Sequence, residues 1–304
     1  MPERTDSMTA NFDKNELKKE ARKSRAKAFQ EGWYRFSQNK ATLVSMIVII
    51  LLVLIAIFAP VLTPYSYDAI DPLNANLGPS LAHPFGTDAI GRDLMTRIFY
   101  GARYSLLIAF AAQGVGIVGG IFLGALAGYF EGLLSDIIMR ICDILQAIPA
   151  TLLAIVVSQT LGSGFISTTL ALAVTTVPSV GRVVRALILQ IRNQEYIEAG
   201  RAIDCSDARI IFRHILPNII PQVIISFTSG LSGKIIESAS LSYLGLGIQP
   251  PTPEWGALLT DGKAYLRYYP HLVIAPGVFI MIAALAFNLV GDGLRDALDP
   301  KLRD

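Results

Sequence analysis

The chain has 304 residues, of which 52% are hydrophobic and 16% charged, with a net charge of +2. A soluble domain carries about 25% charged residues, so a conventional water-soluble fold is excluded. The net charge singles out no partner, nucleic acid included.

The apolar residues come in long runs without charge, over residues 41–67, 104–130, 144–181, 214–233 and 268–291. A membrane-spanning helix needs about 20 such residues. The run 144–181 is long enough for two helices and is interrupted by Leu161, Gly162, Ser163 and Gly164, a turn signal. The expectation is an all-α integral membrane protein with six transmembrane helices. Ten Lys or Arg precede the first span, among them Lys18, Lys19, Arg22, Lys23, Arg25 and Lys27. With that end inside, the inner segments carry 20 Lys or Arg, against five in the outer loops: Arg92, Arg97, Arg103, Lys263 and Arg267. The positive-inside rule then places both termini in the cytoplasm. The first apolar run starts too late and runs too long for a signal peptide, so it reads as an uncleaved span. Cys142 and Cys205 fall toward the cytoplasmic side, where reduced thiols with packing roles are expected.

The elements follow in chain order. Residues 1–40 form a basic cytoplasmic segment. Phe29, Trp33 and Phe36 have the spacing of one helix face, which suits either a helix lying in lipid headgroups or a solvated tail held by anionic lipid. The first transmembrane helix falls within 41–65, closed by Pro60 and Pro64. An extracytoplasmic loop of residues 66–102 follows, long enough to be a docking surface. Residues 103–292 form a five-helix core. Its first helix carries Gly116, Gly120, Gly124 and Gly128 at every fourth position, a smooth stripe for close helix packing, with the partner helix left open. The next two spans are expected over 134–157 and 166–190. Asp136, Arg140 and Asp143 lie at the inner end of one, Arg182 and Arg185 at that of the other, where snorkelling and local pairing are expected. The fifth span opens at Pro217 and contains Lys234 and Glu237, three residues apart. Charges inside a span are costly and face a cavity or a partner, and an i, i+3 pair partly neutralises itself. These two are the candidate pathway residues. The sixth span covers 270–290, and residues 293–304 form a cytoplasmic tail.

No catalytic constellation is visible. His83, His214 and His271 are too scattered for a metal site, and no nucleophile elbow occurs. Ser232, Gly233 and Lys234 faintly resemble a phosphate loop, but Thr228 stands where glycine is needed and Ile235 where Ser or Thr is needed. Nothing in the chain calls for a metal or cofactor. An intramembrane hydrolase would need a Ser/His or paired-Asp constellation, and a channel would show flux independent of ATP.

One segment is neither span nor simple connector. Residues 196–218 carry Glu198, Arg201, Asp204, Asp207, Arg209 and Arg213 among Ile197, Ile203, Ile210, Ile211 and Ile215. The pattern predicts a helix with a Glu198–Arg201 pair. A turn and a second helix over 208–215, capped by Ser206 or Asp207, would follow, together lying across the cytoplasmic face. Such a rigid, charged shape suits docking into a soluble partner.

This segment resembles the EAA loop of ABC-importer permeases, whose pattern is Glu-Ala-Ala, three residues, Gly, then nine residues before Ile-x-Leu-Pro. Here it is Glu198, Ala199 and Gly200, then Asp204 at the glycine position, His214 at the isoleucine position, and Leu216 with Pro217. The stretches HPFGTDAIGRDLMTRIFYGAR, SLSYLGLGIQPPTPEWG and AFNLVGDGLRDALDPKLR extend the likeness to the C-type subunit of the dipeptide/oligopeptide/nickel permease family. The resemblance implies a type I ABC-importer permease fold in a prokaryotic inner membrane. It implies that the loop 191–216, with Ser206, Asp207 and Arg209 beside the motif residues, docks into a cleft of a cytosolic ATPase subunit, one of two in the importer that bind ATP and Mg. A second permease chain and an extracytoplasmic substrate-binding protein would complete the importer, with dipeptides or oligopeptides the expected cargo and nickel or another small solute the alternative. Lys234 and Glu237 could meet the charged ends of a zwitterionic peptide. Asp204 in place of glycine is expected to keep the turn, because Asp tolerates the left-handed region better than most residues. Gly200 in place of alanine slightly weakens its helix.

Overall fold

The computed structural model describes Gln30 and residues 32–298. The basic arm and Phe29 lie outside the described residues, as do the last residues of the tail. Residues 32–38 are helical, with Phe36 buried, Trp33 half-exposed and their rings stacked at 5.8 Å.

Ten helices follow: α1 (Lys40–Leu62), α2 (Leu94–Tyr129), α3 (Leu133–Ala147), α4 (Ala150–Leu161), α5 (Phe165–Ile191), α6 (Glu195–Ala202), α7 (Asp207–Ile210), α8 (Leu216–Tyr243), α9 (Trp255–Lys263) and α10 (His271–Leu298). Five helical stretches among the described residues are long and apolar enough to cross a membrane, and α3 with α4 makes a sixth if the bent pair counts as one span.

The expected continuous third span, 134–157, is corrected: α3 and α4 meet at 96°. Pro149 disfavours helical backbone at the residue before it and has no N–H to donate. Ile148 and Pro149 accordingly adopt ψ of about 130° and break the helix.

The fifth span is corrected as well. It does not begin afresh at Pro217, because α7 runs into α8 through a widened π turn, Ile211–Ile215. The ring of Pro217 would clash with the carbonyl four residues earlier, that of Arg213. The π turn shifts the register, and the Leu216 N–H bonds the Ile211 carbonyl instead. The segment after the turn is therefore a stalk continuous with a membrane helix, rather than a second helix lying free on the face.

Helix α2 begins at Leu94, inside the expected outer loop, because the Asp93 carboxylate accepts the Thr96 N–H and caps it. Its glycine stripe packs against α5. A Cβ on Gly116, Gly120 or Gly124 would fall 2.5–2.6 Å from Thr176, Val180 and the Gly181 carbonyl, in that order. The sequence left the partner of this stripe open; it lies within the same chain.

Pro60 sits inside α1 rather than closing it. It cannot donate to the Ala56 carbonyl. The Arg103 guanidinium, from α2, donates to Ala56 O and to Ile57 O (2.7 Å) in its place. One buried cluster joins Leu52, Ile98, Leu231, Trp255, Leu272 and Phe287 of α1, α2, α8, α9 and α10. A second joins Val184 and Ile188 of α5 with Ile197, Ile210, Ile215 and Ile219. The second cluster anchors the loop 191–216 to the helix ends.

Candidate functional site

The break between α3 and α4 opens a cavity of about 570 Å³, lined by Gln113 of α2, Ile148 and Pro149 at the break, Thr175 of α5, and Lys234 and Glu237 of α8 among others. Its walls are mostly aliphatic. Lys234 and Glu237, three residues apart on one face of α8, both line it. Lys234 Nζ lies 2.6 Å from Glu237 Oε2 and 3.0 Å from Thr175 Oγ1. The expected self-neutralising pair therefore forms, and it does so at a cavity wall. Gln113 was missed in the sequence. It is buried, its Nε2 donates to the Ser226 carbonyl at 3.1 Å, and its Oε1 has no partner.

At the opposite end of α2 from the loop 191–216, the segment 83–103 builds a buried charge cluster. Asp88 Oδ2 is 2.6 Å from both Arg92 Nε and Arg97 Nη1, and the two guanidiniums reach Asp261 Oδ2 at 3.4 and 3.3 Å. Two arginines and two aspartates thus tie the outer loop to α2 and α9. Burial pushes the Asp88 carboxyl up. The Arg92 backbone N–H and the guanidiniums of Arg92 and Arg97 outweigh it and hold the carboxyl below its ordinary value. Nearby, Glu254 caps α9 by accepting the Ala257 N–H (3.0 Å) and takes a further hydrogen bond from Ser105 Oγ (2.9 Å). Burial pushes its carboxyl up, and the hydroxyl and N–H donors only partly offset this. Trp255 is fully buried beside it, its indole N–H donating to the Ile98 carbonyl at 3.0 Å.

The loop 191–216 has two sides. Ile197, Ile210, Ile211 and Ile215 are buried, whereas Ile203 is 77% and Phe212 71% exposed. Glu198, Ala199 and Gly200 lie on α6, and Asp204 forms the turn after it with φ +58°, the left-handed conformation anticipated for the glycine position. Ser206 precedes α7 but makes no side-chain cap, and Asp207 does not cap it either. Asp207 instead accepts from the Tyr129 hydroxyl at 2.5 Å. Nor does Arg201 pair with Glu198; its guanidinium stands 5.4 Å over the Tyr129 ring. Tyr129, at the end of α2, therefore holds both arms of the loop. Arg209, on α7, is exposed. Leu216 and Pro217 open α8. Between α3 and α5 Arg182 pairs with Asp143 at 2.5 Å, as the local-pairing reading expected.

A bundle of membrane-length helices around a mostly aliphatic cavity that carries one ion pair, with a structured loop at one end, is the architecture of a membrane transport subunit. Residues 120–304 match the family described as "Binding-protein-dependent transport system inner membrane component", and residues 27–79 match the "N-terminal TM domain of oligopeptide transport permease C". The dipeptide transport system permease protein DppC of Alkalihalophilus pseudofirmus is 44% identical over 275 residues, 90% of each chain. The glutathione transport system permease protein GsiD of Escherichia coli is 45% identical over 276 residues, 90% of this chain and 91% of that one. Two inward-facing crystal forms of the MetNI methionine ABC transporter share the fold, with TM-scores of 0.56 and 0.57 at 21% and 20% identity, covering 68% of this chain and 98% of that one. The chain belongs to the binding-protein-dependent transport family as an ABC-importer permease subunit. It is a multi-pass component of the inner membrane and a transport subunit rather than an enzyme.

Proposed function

We propose that this chain forms half of the translocation pathway of an ATP-driven importer of dipeptides or oligopeptides. The observation that carries the cargo class is the 44–45% identity, over 90% of the chain, to permeases named for dipeptide and for glutathione, itself a short peptide. In this reading the chain pairs with a second, different permease chain. Lys234 and Glu237 line the shared pathway. One of two ATPase subunits that bind ATP and Mg docks on the loop 191–216 through Ile203 and Phe212, the exposed apolar residues beside the motif. Glu198 and Arg209 supply charge around them. Tyr129, tied to Asp207 and Arg201, passes the loop's movement to α2. The orientation follows from the charge asymmetry: loop and termini inside, the outer loop 66–102 facing a substrate-binding protein.

The test is purification of the chain from its native membrane in mild detergent, followed by reconstitution into proteoliposomes with its binding protein. Co-purification of a second permease and of ATPase subunits, with ATP-dependent dialanine uptake, is the expected result. Recovery of the chain without an ATPase, even after crosslinking from cysteines placed at Ile203 and Phe212, would overturn it.

A further inference from the structure

We propose that the cavity at the α3–α4 break is a binding subsite for the two charged ends of a short zwitterionic peptide: the open first turn of α4 takes the carboxylate, and Glu237 with the Gln113 amide oxygen takes the ammonium group. This deepens the peptide-importer reading and rests on it.

Helix α4 starts at Ala150, directly after Pro149, and no side chain caps it. The first N–H groups of a helix have no partner inside the helix, and the positive end of the helix dipole favours an anion there. Ile148, Pro149 and Ala150 all line the cavity, so this end of the helix is presented to whatever occupies it.

Gln113 supplies an independent pointer to a ligand. Its side chain is 2% exposed and lines the same cavity. The Ser226 carbonyl can accept only from N–H, which fixes Nε2 toward Ser226 and leaves Oε1 buried without a partner. The amide lies across α8 because position 230 is glycine; a Cβ there would come within 2.1 Å of Nε2. A buried acceptor without a donor is unfavourable, and a ligand ammonium in the cavity satisfies it. Glu237 has only Oε2 engaged, by Lys234, and its side chain is 31% exposed. That leaves Oε1 for the same cation. Lys234, 9% exposed, holds the carboxylate in place.

The remainder of the wall reads no side chain in particular. Leu153, Val180 and Val183 are aliphatic surfaces, and the volume of about 570 Å³ falls within the roughly 300–1,000 Å³ of small-molecule sites. The subsite therefore recognises the ends of a short peptide and tolerates its side chains.

The experiment measures equilibrium binding of radiolabelled dialanine to the transporter complex in nanodiscs without binding protein. Dialanine amide and N-acetyl-dialanine serve as competitors. Each cap is expected to weaken binding about tenfold, the scale of a removed polar contact in a site built to receive it. Ala150→Asp, which places its own carboxylate in the α4 turn, should abolish discrimination against the amide and leave discrimination against the N-acetyl compound. Gln113→Leu should do the reverse. Gln113→Glu keeps the shape and should sharpen the preference for a free ammonium, so it carries the test if the leucine variant does not assemble. Absence of saturable dialanine binding, or equal affinity for all three compounds, would overturn the subsite. ATP-driven dialanine uptake by the same complex with its binding protein separates the two ideas: uptake without subsite binding leaves the importer standing, and loss of both sinks both.

Discussion

Alanine at Gly120 or Gly124 should prise α2 from α5, whereas alanine at Gly114, on the same helix, should not. An added Cβ at Gly120 falls 2.5 Å from the Val180 Cβ, and one at Gly124 falls 2.6 Å from the Gly181 carbonyl oxygen. Carbon atoms rest about 3.5–4.0 Å apart, so the helices must separate locally by about 1 Å. Overpacking of this kind costs about 1–3 kcal/mol. Replacing a mid-helix glycine returns roughly 0.5–1 kcal/mol of backbone entropy. The net loss for Gly120→Ala is then about 1–2 kcal/mol. Gly124→Ala should lose a similar amount, because the Val180 Cβ is held by its backbone as firmly as the Gly181 carbonyl oxygen. Gly114 has open space within 4 Å, so its alanine variant should gain about 0.5–1 kcal/mol. Equilibrium unfolding of the purified chain in mixed micelles of mild detergent and dodecyl sulfate reads all three. Wild-type midpoints for Gly120→Ala and Gly124→Ala would refute the reasoning, since the helices would then not meet at these glycines.

Three further outcomes follow from the outer pole and the loop. Asp88→Asn strands the buried Arg97 guanidinium with only Asp261, and should cost about 3–5 kcal/mol, the scale of a broken buried pair; a loss below 1 kcal/mol in the same unfolding assay would show that the cluster is slack. The two outer carboxylates should give opposite pH dependence. Asp88, held below its ordinary 3.8, stabilises the fold above that pH and loses this contribution as pH falls through its lowered value. Glu254, raised above 4.5 by burial, favours the fold below that pH and weakens it as pH rises toward its raised value. Unfolding midpoints across acid pH should therefore fall more steeply above 4.5 in the wild type than in Glu254→Gln, and parallel curves would count against a buried ionising Glu254. At φ +58°, Asp204→Val should lose about 1–2 kcal/mol from left-handed strain. Asp204→Gly should be close to neutral, because relief of strain is offset by added freedom in the unfolded chain.

The spans were legible because lipid leaves the chain little choice: backbone groups must be satisfied within a helix, and its side chains must be apolar. The four-residue glycine spacing was legible as a face, since helical period fixes which positions align. That the face meets α5 was not, because period says nothing about the partner. The break at Pro149 left a local signal, a proline inside an apolar run, that the length of the run obscured. Arg97 and Arg103 were counted as outer-loop charges, and both stand on α2, Arg97 buried and Arg103 half-buried against α1, because Asp93 caps the helix at Leu94.

What escaped the sequence has a common cause. Each missed feature pairs groups from different helices, and neither member signals alone. Gln113 is an unremarkable polar residue until Gly230 lets it lie across α8 and leaves its oxygen buried without a donor. Pro60 reads as the end of a span because a proline removes a donor. It lies within α1 because Arg103, on the next membrane helix, supplies donors to Ala56 and Ile57. The arginine's cost in an apolar setting and the proline's cost in a helix interior offset each other only when both are present. Replacing either one alone exposes the other, a dependence between sites that composition, period and spacing along a single chain cannot register.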